Sequence, residues 1–133
     1  MTVVDVYTRQ VWLRSLATKL AAEVAAAYET ISDEEFRPAT LQLDNGKEFS
    51  ALIAYARNLG SAMVHSHTYS GVSWVEQVNG QVRDMIAQLG VQRGNKQWSD
   101  QLENIAAQIN AKIRARFAFP SKATTADIWR LWW

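Results

Sequence analysis

The stretch from Leu13 to Tyr28 reads LRSLATKLAAEVAAAY. Leu13, Leu16, Leu20, Val24 and the Ala27–Tyr28 pair recur at three- and four-residue steps, the spacing of one helix face. Ala17, Ala21 and Ala25 form a second stripe of small residues, and alanine has the highest helix propensity. The spacing predicts a helix over about 9–30 and, with it, an all-α chain.

Working outward, Ser32 with Glu35 matches a capping box, so a short helical turn is expected near 33–37, ended by Pro38. Thr40-Leu41-Gln42-Leu43 alternates as a strand would, and Asp44-Asn45-Gly46 is turn chemistry. A lone strand lacks a partner, so an extended loop is the reading, with a small hairpin as the alternative. A helix follows over 47–64, with Phe49, Leu52, Ile53, Ala56, Leu59, Gly60 and Met63 on one face. Residues 65–72 connect it to a helix over 74–89, opened by Ser73 with Glu76 and closed by Gly90. Leu102, Ile105, Ala106, Ile109, Ile113 and Phe117 mark a fourth helix over 97–118, and Pro120 ends it. Thr124 or Thr125 caps a last short turn over 126–133. Four apolar faces close on one core, so the expected fold is a helical bundle in one domain spanning 1–133.

Composition narrows the function. The chain has 133 residues, 48% apolar and 20% charged, as in a folding chain of one-domain size. It contains no cysteine, which excludes disulfides, thiol catalysis and Cys-ligated metal. Met1 to Arg9 shows no basic segment followed by an apolar run, and no apolar run approaches a membrane span. A cytoplasmic protein without membrane contact is expected.

Catalytic motifs are sparse. His65 and His67 could share a metal only in an extended segment, and no third ligand is marked beyond the distant Glu76. Ser66, Ser70 and Ser73 lie near these histidines without a nucleophile elbow. Glu29 and Asp33-Glu34-Glu35 read as acids at a helix start rather than a cation site. No glycine-rich phosphate loop appears. No cofactor and no metal are expected.

Charge and tryptophan carry more. The net charge of +1 hides a division: residues 1–50 hold five basic and eight acidic residues, residues 51–133 nine basic and five acidic. Arg93, Lys96, Lys112, Arg114, Arg116 and Lys122 are the candidate phosphate contacts, with Lys112 and Arg116 one helical turn apart beside Gln108. Trp12, Trp74 and Trp98 each stand near the start of an expected helix. Trp129, Arg130, Trp132 and Trp133 form the candidate protein interface, because Trp and Arg dominate binding hot spots. The expectation is a non-enzymatic helical subunit of a larger assembly, with protein partners and RNA or DNA contact. The alternatives are a stand-alone protein-binding module, as in an inhibitor, immunity or adaptor protein, and a small metal- or His-dependent enzyme. Spare aromatic surface also suits a homo-oligomer.

Overall fold

The computed structural model describes residues 1–32, 37–65, 74–89, 97–117 and 128–132. It corrects the all-α expectation. Among the described residues the elements are β1 (Thr2–Asp5), β2 (Val11–Leu13), α1 (Ala21–Glu29), β3 (Thr40–Leu43), α2 (Ser50–Asn58), β4 (Ala62–His65), α3 (Trp74–Gln88), α4 (Gln97–Asp100), α5 (Leu102–Phe117) and β5 (Ile128–Trp132). The strands form one mixed sheet in the order β2-β1-β5-β3-β4. β1 runs antiparallel to β2 and β5, whereas β3, β4 and β5 run parallel.

Three of the expected helices change for identifiable reasons. The helix expected over 9–30 shrinks to α1, because Val11 and Leu13 alternate inward and Trp12 pairs with Val3 of β1. Leu20, which fits the helical step, stands outside the core and 67% exposed. α1 begins behind it without a side-chain cap of the usual kind. Instead the Glu23 carboxylate reaches back to accept from the backbone N–H of Thr18 at 2.9 Å, the Thr18 hydroxyl and the Ala17 N–H. These bonds, the Thr18 hydroxyl first, hold its carboxyl below the ordinary range.

The helix expected over 47–64 is a 3-10 turn (Lys47–Phe49), then α2, then β4. Gly60 is the stop signal. Its φ of 86° is the left-handed conformation that glycine adopts freely. Its N–H donates to Arg57 O, and the Ser61 N–H donates to Ala56 O, which closes a Schellman motif. The turn expected over 126–133 is likewise corrected: Ile128–Trp132 is a strand that pairs with β1 on one side and β3 on the other. Residues 33–36 of the other expected turn lie outside the described residues.

The sheet separates two apolar layers. Val3, Leu41 and Leu43 pack with Val24, Tyr28, Phe49 and Leu52 of α1, the 3-10 turn and α2. Val4, Val11 and Leu13 pack with Val75 and Val78 of α3 and with Leu102, Ile105 and Ile109 of α5. Val3 and Val4 are neighbours in one strand, so the pleat sends them to opposite layers. No helix is long and apolar enough to cross a membrane among the described residues.

The two sheet edges differ. Asp5 N–H donates to Gln10 O, and Arg14 N–H donates to Met1 O, so Gln10 and Arg14 face β1. Val11 and Leu13 therefore turn their backbone groups outward. Asn110 of α5 occupies both groups of Val11: its Oδ1 accepts from Val11 N–H at 2.8 Å and its Nδ2 donates to Val11 O at 2.9 Å. The Arg14 guanidinium donates to Leu13 O at 2.9 Å and to Thr30 Oγ1 at 2.7 Å. At the other edge, Ala62, Val64 and His65 of β4 are exposed, Val64 to 47%.

Two outcomes are expected. Asn110→Ala strips both partners from a buried pair of backbone groups, at about 2–4 kcal/mol from orphaned donors and acceptors. Urea unfolding should show that loss as a lower midpoint with an unchanged slope. The second concerns Tyr28, fully buried and edge-on to Tyr55 at 6.1 Å. Burial pushes its phenol from 10.0 up to about 12, against a smaller downward pull from the Ser32 side chain. The folded state thus holds this proton more tightly than the unfolded state does. Its contribution is complete below pH 10 and is lost as pH rises to about 12. Absorbance titration should show one late phenolate that Tyr28→Phe removes, together with part of the alkaline destabilisation.

Candidate nucleic-acid interface

α5 carries three of the six expected cations. Lys112, Arg114 and Arg116 are all exposed. At about 100° per residue, Lys112 and Arg116 fall within roughly 40° of each other, with Arg114 about 160° round from both. They flank the outer face rather than share one stripe. Between them lie exposed Ala107, Gln108, Ala111 and Ala115, and no acid follows Glu103 on this helix. Cations in the last turns are also favoured by the helix dipole. Arg93, Lys96 and Lys122 lie outside the described residues, as do Asp33 to Glu35, Ser66, His67, Ser70, Ser73 and Trp133.

The remaining expected residues are dispersed. The backbones of Trp129, Arg130 and Trp132 stand in the middle of the sheet, paired with Asp5, Val4 and Thr2. His65 ends β4 opposite Leu43 and is exposed. Glu76 is half-buried on α3. Among the described residues no three His, Asp or Glu side chains gather in a way that could hold a metal ion.

A cluster that sequence reasoning missed sits at the β1–β2 turn. Asp5, only 3% exposed, anchors it. Its Oδ1 accepts from Tyr7 N–H at 3.0 Å and its Oδ2 from the Thr8 hydroxyl, while Asp5 O accepts from Arg9 N–H at 2.8 Å. The Thr8 hydroxyl in turn accepts from Gln10 N–H at 3.2 Å. Within this frame Arg9 adopts φ 64°, a left-handed conformation that costs a non-glycine residue about 1–2 kcal/mol. The conformation brings its guanidinium 3.7 Å from the ring centroid of Trp74, in the first turn of α3. Trp74 remains 41% exposed and Tyr7 62%.

One contact ties this cluster to the α5 cations. Val11, held by Asn110, is two residues beyond Arg9, and Lys112 and Arg114 follow Asn110 by two and four residues. At about 1.5 Å per residue, both cations lie within roughly 6 Å of Asn110 along the helix axis. The turn that carries Arg9 and the helix segment that carries Lys112 and Arg114 are thus connected through the Val11–Asn110 pair. Of this arrangement the sequence displays the cations, the Asp5-to-Thr8 turn residues and Trp74 at a helix start. The left-handed Arg9 has no signal, since the residue type disfavours it. The sequence matches no known protein family, and no curated protein matches it.

Removing the anchor tests the frame. Asp5→Ala takes the acceptor from Tyr7 N–H and the Thr8 hydroxyl, and should cost about 1–3 kcal/mol in urea unfolding. Thr8→Val should cost a similar amount, because the bond to Asp5 Oδ2 and the bond from Gln10 N–H both disappear.

Proposed function

We propose that the protein is a non-enzymatic binding subunit of a larger assembly, in contact with a nucleic-acid backbone through the C-terminal half of α5. One observation carries this reading: Lys112, Arg114 and Arg116 project from a helix segment whose neighbour, Asn110, is locked to the sheet by two hydrogen bonds. Cations on a fixed support lose little freedom when they meet phosphates, so more of the attraction survives as affinity. The absence of acids after Glu103 on α5 keeps the local potential positive.

A second reading, a stand-alone protein-binding module, draws support from β4. Its Ala62 N–H donates to Ala39 O, so the backbone groups of Met63 and His65 face away from β3. An extended segment of a partner protein can add to such an edge.

Fluorescence anisotropy with labelled oligonucleotides over a salt series separates the two. If the backbone reading holds, the wild-type protein binds at low salt with a log–log salt slope set by the phosphates it neutralises. Replacing Lys112, Arg114 and Arg116 together by Ala should flatten that slope by about 2, at roughly 0.7 per contact on a single strand. An unchanged slope overturns the assignment. No binding at low salt transfers the weight to the protein-binding module.

A further inference from the structure

The open edge of the sheet identifies its partner. We infer that β4 is a homodimer interface, in which two copies of the chain pair edge to edge and antiparallel about a two-fold axis at Val64. The inference concerns a surface apart from α5 and does not rest on the backbone reading.

Three observations commit the edge to a second copy. First, its backbone groups are available. Ala62 N–H donates to Ala39 O, so in this parallel pair Met63 and His65 turn their N–H and C=O groups away from β3. Among the described residues no strand pairs with that side. Second, the strand matches its own copy. In an antiparallel pair centred on Val64, Met63 of each copy stands opposite His65 of the other. Each such pair exchanges two hydrogen bonds, so the two-fold axis yields four. The two Val64 residues then meet as a non-hydrogen-bonded pair, with Cα atoms about 4.5 Å apart. Val64 suits that position, being β-branched and 47% exposed. It points to the face opposite Met63, which packs on the first apolar layer. Charge fits as well. Ala62 to His65 contains no Lys, Arg, Asp or Glu. Edge strands that stay single are commonly guarded by such charges, and like charges placed opposite one another repel. Third, the other edge of a second copy is a poor partner. Asn110 occupies both outward groups of Val11, and Arg14 the outward carbonyl of Leu13. The edge that a second copy can offer is therefore its own β4. Four residues a side fall short of the roughly 1,200 Å² that stable interfaces bury, so the association is reversible and depends on concentration.

Sedimentation velocity of the full chain over a concentration series, joined to cysteine cross-linking, tests the interface. Wild type should pass from monomer to dimer as concentration rises. Val64→Lys sets two like charges on the axis and should raise the dimer dissociation constant about tenfold. Val64 is exposed, so the circular dichroism and melting temperature of this variant should match wild type. His65→Pro removes an outward N–H from each copy, hence two of the four bonds between copies, and should weaken the dimer without touching the β3–β4 ladder. The chain has no cysteine, so one introduced thiol reports on one position. Val64→Cys should cross-link rapidly under copper–phenanthroline oxidation, because the Cα separation on the axis lies within disulfide range. Ala62→Cys should not, since the two Ala62 Cα atoms are offset by about 14 Å along the strands. A chain that stays monomeric at every concentration overturns the interface and leaves the edge to an extended segment of another protein. A dimer that Val64→Lys leaves unchanged overturns it too, as does equal cross-linking at the two positions.

Discussion

The ladder on either side of β5 holds the architecture together. Thr2 to Asp5 pairs with Trp132 to Trp129 on one side, and Thr40 to Gln42 pairs with Ile128 to Arg130 on the other. Without this strand, the β1–β2 hairpin and the β3–α2–β4 unit share no hydrogen bonds within a sheet. The first apolar layer depends on it directly, because it joins Val3 of β1 to Leu41 and Leu43 of β3, strands that meet only through β5, whereas the second rests on Val4, Val11 and Leu13 of the β1–β2 pair. Its partners are distant in the sequence, so closing the sheet requires long loops to be ordered before the ladder repays their entropy. Folding should accordingly be cooperative and slow by the standard of a helical bundle.

How much was legible depends on how much of each element is local. α3 was read almost to the residue: Val75, Val78, Val82, Met85 and Ile86 repeat at helical steps over fifteen residues. The strands are three to five residues long. In so short a stretch, Leu13 fits both a helical step to Leu16 and a two-residue step from Val11. Ile128, Leu131 and Trp132 are as consistent with a helix turn as with a strand. Thr40 to Leu43 did show alternation, but its parallel partners leave no hairpin signature nearby. Gly60 was legible in principle, as a stop after an apolar helix, yet its place on the apolar face concealed that role.

The site divides in the same way. Exposed Lys and Arg on a helix are written in its periodicity. The Tyr7–Arg9–Trp74 cluster is a product of tertiary structure: Asp5 is buried only because β1 is, and Arg9 meets Trp74 only because α3 lies across β1. The left-handed Arg9 is held by bonds within residues 5–10, but its aromatic partner lies in no local window.

The unequal edges of the sheet have one more consequence. Asn110 occupies both outward groups of Val11 and Arg14 the outward carbonyl of Leu13, which hinders strand-to-strand growth from that side. Among the described residues only the β4 side is left to extend the sheet. Two molecules joined there would each present a sealed outer margin, and the association would terminate at a pair. The same exposed strand on a sheet open at both margins would instead propagate into a fibre. Asn110 and Arg14 together thus act as terminators at one margin, which limits polymerisation from the margin that stays open.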